Sequence, residues 1–195
     1  MLERILNLRY RREILSRLSG ACPSKPLPPS RQTHRLLVKS IFLSMGKLAK
    51  MDGRVTPEEI KYAASIMELM GLLYSEKKKA IKYFEAGKER NSEPLEYVDK
   101  LVYLIGRGSS LAELFLKTQC RLAFVKGTLR LREKVYLRSL AETLGFKKSQ
   151  LDEIFSEIGG VIENDFSKVT NPQRDAYKIL QLEPEAQGSD IKKAY

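Results

Sequence analysis

Histidine is almost absent from this chain, and that alone removes several functions. The 195 residues contain one, His34, which leaves no His-rich metal site and no conventional zinc protease. Cysteine is nearly as scarce. Cys22 and Cys120 form no CxxC pair, so neither a zinc ribbon nor a disulfide framework can be built. Two isolated cysteines suit a reducing compartment. No apolar run approaches the ~20 residues of a membrane-spanning helix. The start, Met1 to Arg12, is basic but lacks the apolar stretch of a secretory signal. Acidic residues are the minority charge: 24 Asp and Glu stand against 35 Lys and Arg, a net +11. Eight basic and two acidic residues lie in the first 35, so +6 of that charge is N-terminal.

What is present suffices for one ordinary domain with short appendages. Hydrophobic residues make up 43% and charged residues 30%, too evenly mixed for a disordered chain. Residues 2–18 read as a short basic helix whose apolar positions spread around its surface. Residues 20–30 hold four prolines and read as a linker. From Arg31 the period is helical, with candidate helices at 32–51, 57–70, 75–88, 94–107, 110–125, 131–144 and 148–158. No strand pattern competes. Thr56-Pro57-Glu58-Glu59 places an N-cap, a first-turn proline and a capping-box glutamate in order. Ser75 and Ser92 are candidate N-caps, and Gly71 and Gly145 candidate left-handed C-terminal caps. The periodicity breaks again near 165–172.

The chain repeats itself. Shifted by 74 positions, residues 36–72 align without a gap on 110–146. Leu48, Ala49, Gly53, Glu59, Tyr62 and Gly71 meet identical residues at 122, 123, 127, 133, 136 and 145. Each copy reads as a long helix, a glycine turn with an apolar plug (Val55 or Leu129) and a second helix. Two such hairpins can pack as a pseudo-twofold helical domain.

Gly46 to Ile60 with Met67 to Leu72, and Leu122 to Glu133 with Leu144 to Phe146, resemble the two half-repeats of TerB-like domains. Asp175-Ala-Tyr-Lys-Ile-Leu-Gln-Leu, the following Glu-Pro-Glu-Ala, and Ile191-Lys-Lys-Ala-Tyr195 resemble the opening of a J domain. A TerB-like domain followed by a J domain is the layout of the DjlA-like co-chaperone family, which Gln32 to Ile60 and Phe84 to Lys88 also resemble. The resemblance implies an all-α fold. The expected organisation is a basic helix and linker at 1–30, the TerB-like domain at 31–165, a second linker at 166–174 and a truncated J-domain start at 175–195. It implies a non-enzyme with a DnaK-type chaperone as partner of the complete form. It also implies a cytoplasmic site, or the cytoplasmic face of the inner membrane to which the family is anchored. Lys192 and Tyr195, one turn apart, match the helix that carries the family's partner-binding face. The His-Pro-Asp loop that drives ATP hydrolysis by the chaperone is not among these residues. A polypeptide of this sequence is therefore expected not to stimulate it. The second J-type helix has only its opening here, too short to persist alone, so 175–195 is expected to be weakly ordered unless docked.

The remaining candidates each have a plainer reading. Asp52-Gly53 with Glu58 and Glu59 is the most metal-like cluster, and metal binding has been suggested for TerB-like domains. A hard cation wants about six oxygens. The position matching Asp52 in the second copy is Lys126, so a turn with a capping box is the preferred reading. No cofactor is expected. Gly106 to Ser110 has the composition of a phosphate loop but lies between two helices, as a connector would. His34 is expected at or near the surface, Cys120 in the core. The cluster Arg4, Arg9, Arg11, Arg12 and Arg17 reads as a solvated helix or as a contact with an anionic membrane. Nucleic acid is not an expected partner, because no aromatic stacking platform accompanies it. Dimerisation and a tellurite-resistance-like, ligand-binding stress-response role stay open.

Overall fold

The structure is a computed structural model, in which residues 2–19, 31–159 and 161–162 are described. The described residues form α1 (Leu2–Leu18), α2 (Arg31–Lys50), α3 (Pro57–Leu69), α4 (Tyr74–Gly87) and α5 (Pro94–Ile105). These are followed by α6 (Ser110–Phe124), β1 (Thr128–Leu129), α7 (Leu131–Leu144), α8 (Lys148–Ile158) and β2 (Val161–Ile162). The fold is all-α, as expected. Its only departure among these residues is a parallel pairing of Thr128 with Val161 and Leu129 with Ile162. Strands of two residues are too short to leave an alternating pattern in a sequence.

The repeat is visible in the helix bounds. Lys50 and Phe124 end the first helices of the two units, and Pro57 and Leu131 begin the second, each pair 74 residues apart. Thr56 caps α3: its Oγ1 accepts from the Glu59 amide, and the Glu59 carboxylate accepts from the Thr56 amide at 2.8 Å. Gly71 (φ 66°) and Gly145 (φ 92°) are left-handed at helix ends. Two expected caps moved. α4 starts at Tyr74, with the Glu76 carboxylate accepting from the Leu73 amide, so Ser75 lies inside the helix. α5 starts at Pro94, so Glu93 rather than Ser92 precedes it. In both places an acidic residue or proline in the first turn outweighs a serine hydroxyl.

α2 is the central helix and packs against α4, α5 and α6. It meets α4 at two glycines. A Cβ on Gly46 would lie 2.0 Å from the Phe84 carbonyl oxygen, and one on Gly87 2.2 Å from the Leu43 carbonyl oxygen. The two backbones therefore touch there. The core continues from Leu37, Ile41, Phe42, Met45 and Leu48 on α2 to Phe115, Leu116 and Cys120 on α6 and Leu137, Leu140 and Leu144 on α7. α1 belongs to the same compact unit and packs on α3 and α6. Its buried stripe is Tyr10, Ile14, Arg17 and Leu18, the i, i+4, i+7, i+8 pattern of one helical face. Among the described residues, no helix is long and apolar enough to cross a membrane.

Candidate functional site

The repeat brings its two turns together, and the charges they carry meet. Lys126, in the turn between α6 and α7, reaches across to the first unit. Its ammonium donates to the Asp52 carboxylate, and to Oε1 of Glu133 at 2.6 Å. Oε1 of Glu59 lies 3.8 Å away. All four side chains are withdrawn from water: Lys126 is 13% exposed, Asp52 8%, Glu59 1% and Glu133 0%.

The local sequence explains how each group is held. Glu59 and Glu133 are repeat partners with the same job. Oε2 of Glu59 accepts from the Thr56 amide, and Oε2 of Glu133 from the Arg130 amide at 2.9 Å. Each glutamate thus caps its helix with one oxygen and turns the other toward Lys126. Gly53 (φ 99°) and Gly127 (φ 85°) make the tight turns that place residues 52 and 126 beside these helix starts. Burial pushes the Glu59 carboxyl above its ordinary range, against the lowering effect of the Thr56 amide and of Lys126. Burial alone would lower Lys126. The hydrogen bonds it gives Asp52 and Glu133 outweigh that and hold it above the usual lysine range. The centre is an ion-paired clamp between two hairpins. Among the described residues, no group of three or more His, Cys, Asp or Glu is arranged to hold a metal ion. Glu58, the other acidic residue of the expected cluster, is exposed and outside it.

The repeat register sets Lys126 opposite Asp52. It could not show that the two would touch, because contact depends on how the hairpins dock.

A second constellation had no sequence signal. The Tyr10 hydroxyl hydrogen-bonds Nδ1 of His34 at 2.9 Å, and Nε2 of His34 lies 3.0 Å from Oε1 of Glu76. The three residues come from α1, α2 and α4. His34 is half-buried, as expected, and both ring nitrogens are engaged within the fold. It is thereby spent as a metal ligand or free base. Burial, and next the negative charge of Glu76, raise the Tyr10 phenol far above its ordinary value. It is a fastening for α1, not a nucleophile. Beside it runs an open groove of about 470 Å³ lined by Gln32, His34, Arg35, Val38, Glu76, Lys79 and Tyr83.

The other sequence candidates fall into place individually. Gly106 to Ser110 connects α5 to α6, and its donors are used on α7. The Gly108 amide donates to the Leu144 carbonyl at 2.8 Å and Arg107 to the Glu142 carbonyl. Cys120 is fully buried, and burial raises its thiol well above the ordinary range, so it is unreactive. Of the basic N-terminal cluster, Arg9 and Arg12 are exposed and Arg11 half-exposed. Arg17 corrects the expectation of a solvated or membrane-facing side chain. It is 3% exposed, pairs with Glu13 at 2.9 Å and donates to the Met70 carbonyl at the end of α3. It shares the buried face of α1, where its guanidinium satisfies a helix-terminal carbonyl. The side chain of Arg4, the linker cysteine Cys22, and Lys192 and Tyr195 lie outside the described residues, as does the whole of 163–195.

Comparison with known proteins gives the family. Residues 39–155 match the family model described as "Tellurite resistance protein TerB". Over 191 aligned residues, the chain is 32% identical to the "Co-chaperone protein DjlA" of Vibrio vulnificus (strain CMCP6), covering 86% of this chain and 66% of the relative. The protein of the same name from Vibrio cholerae is 30% identical over 197 residues (91% of this chain, 68% of the relative). That from Escherichia coli (strain K12) is 28% identical over 178 residues (85% and 66%). The chain thus spans about two thirds of the length of these relatives. No solved structure matches it significantly. The chain belongs to the TerB family, and the wider match makes it a DjlA-like protein.

Proposed function

We propose that the chain is the greater part of a co-chaperone for a DnaK-type chaperone, with its helical domain as a non-catalytic module. In this reading the module regulates, dimerises or localises a J domain whose opening is residues 175–195. The observation that carries it is the breadth of the similarity. It runs over 86% of the chain, well past the TerB match at 39–155, to relatives named co-chaperones. The polar groups support a non-catalytic role. The two convergent constellations bind helices to each other and leave no nucleophile exposed.

Lys192 and Tyr195 would contribute to the chaperone-binding face. Exposed Arg9 and Arg12 would suit an anionic membrane surface on the cytoplasmic side, where each basic side chain near the lipid adds about 1 kcal/mol. Chaperone ATPase assays test the proposal. The 195-residue polypeptide, which contains no His-Pro-Asp sequence, should leave the rate unchanged. The same chain extended by the remainder of a J domain should raise it. Stimulation by the 195 residues alone, or none by the extended chain, contradicts the reading. Flotation with anionic liposomes at low and high salt tests the membrane contact.

A second reading, a TerB-type ligand-binding stress-response module, is favoured by the match of residues 39–155 to the family described as "Tellurite resistance protein TerB". Calorimetric titration with divalent cations, with Asp52→Ala as control, separates it from the first.

A further inference from the structure

We propose that the Lys126 ammonium is the resident cation of the carboxylate centre, so that the two hairpins are clamped without a metal and the centre takes no divalent ion. Three observations lead there. The first is position. Lys126 stands at the repeat equivalent of Asp52, while Glu133 stands at that of Glu59. A strictly repeated sequence would bring two aspartates and two glutamates together. Four buried carboxylates cannot stay ionised side by side without a cation among them. One substitution in one copy puts that cation on the chain itself.

The second is geometry. The ammonium lies within hydrogen-bond reach of Asp52 and Glu133 and 3.8 Å from Glu59, inside the space where the three carboxylates converge. A divalent ion would have to share that space with a positive charge. It would also find only four available oxygens, both of Asp52 and one each of Glu59 and Glu133, because Oε2 of each glutamate is taken by a helix-start amide, where a hard cation wants about six. The third is what is left over. Asp52 Oδ1 and Glu59 Oε1 are buried and have no hydrogen-bond partner. Both belong to the first unit, on the side that Lys126 serves with a single direct bond. The ammonium has three protons to give, and Asp52 and Glu133 take two, so one remains for these oxygens, of which Glu59 Oε1 is 3.8 Å away.

The consequence is regulatory. The junction between the hairpins is set permanently by the polypeptide and does not respond to cation supply. One position decides between a fixed clamp and a cation-dependent one.

Thermal melts of the full 195-residue chain test this, with millimolar CaCl2, MgCl2 or EDTA. The wild-type midpoint should be the same in all three. Lys126→Met should melt lower by on the order of 10 °C at neutral pH, because it leaves carboxylates buried without a counter-ion. The loss should shrink near pH ~5, where those carboxylates can take up protons. Lys126→Asp should be the least stable in EDTA and regain several degrees in CaCl2. A wild-type midpoint that rises with CaCl2 or MgCl2 overturns the proposal. So does a Lys126→Met protein that melts like wild type, or a folded Lys126→Asp protein blind to both ions. If Lys126→Asp does not fold, the wild-type and Lys126→Met melts still decide.

Discussion

The two helix–turn–helix units have the same turn length, with the flanking helix ends 74 residues apart, yet they are built to do different things. α2–α3 carries Gly46 and Asp52 where α6–α7 carries Cys120 and Lys126. Gly46 exists for a neighbour: α4 crosses α2 there with no room for a Cβ. At the equivalent position of α6, Cys120 is fully buried, and its thiol fills the space as a small apolar side chain would. The Asp52–Lys126 difference has the opposite origin. It serves contact between the units themselves, since identical turns would present like charges to each other. The fold has kept the duplicated backbone and divided the side-chain work, and the division is sharpest where the copies touch.

The strongest way to break that comparison is to make the turns alike. Asp52→Lys should cost roughly 3–5 kcal/mol, since it sets two ammoniums beside each other and strips the centre of a carboxylate. Exchanging the charges, Asp52→Lys with Lys126→Asp, should recover much of that loss in urea denaturation. If the exchanged protein is no more stable than the single variant, the charges are not paired across the repeat. The steric difference comes next. Gly46→Ala should cost roughly 3 kcal/mol, because a backbone carbonyl stands in the way and cannot rotate aside. Cys120→Ala should cost about 1 kcal/mol. Equal costs would remove the argument for a backbone-to-backbone crossing.

A smaller effect lies in pH. Lys126 titrates above its ordinary value in the folded chain, so its stabilising contribution is complete below about 10.5 and fades as pH rises through the folded value. Glu59 is also raised, and for a carboxyl this means a contribution present below its ordinary 4.5 and lost on the way up. Denaturation midpoints between pH ~9 and ~12 should therefore fall more steeply for wild type than for Lys126→Met. Parallel curves would mean that Lys126 is not clamped. The smallest difference is in the caps. Thr56 caps α3 with its hydroxyl, whereas Arg130 has no side-chain cap to offer α7. Thr56→Ala should lose about 1 kcal/mol and Arg130→Thr gain about 0.5 kcal/mol, both read from melting curves.

The scaffold was legible because its signals are local. Apolar period, prolines at helix starts and glycines after helix ends give seven domain helices within about a turn, and the gap-free repeat gives their pairing. The Ser75 and Ser92 caps failed for a local reason too, since Glu76 and Pro94 compete within the same turn. What was not legible is convergence. Tyr10, His34 and Glu76 are ordinary residues 24 and 42 positions apart, with nothing in their spacing to join them. Arg17 read as one more surface charge, because the stripe it shares with Tyr10, Ile14 and Leu18 is blurred by apolar residues elsewhere on α1. Lys126 was visible as the odd residue of the repeat, but its meaning depends on two turns meeting in space.

A double-mutant cycle on Asp52→Asn and Lys126→Met tests the central claim most directly, because it isolates the contact between the copies from the cost of altering either alone. The account predicts that the two losses overlap, with a coupling of more than about 1 kcal/mol in urea denaturation near neutral pH. Strict additivity, with the double variant losing the sum of the single losses, would contradict it.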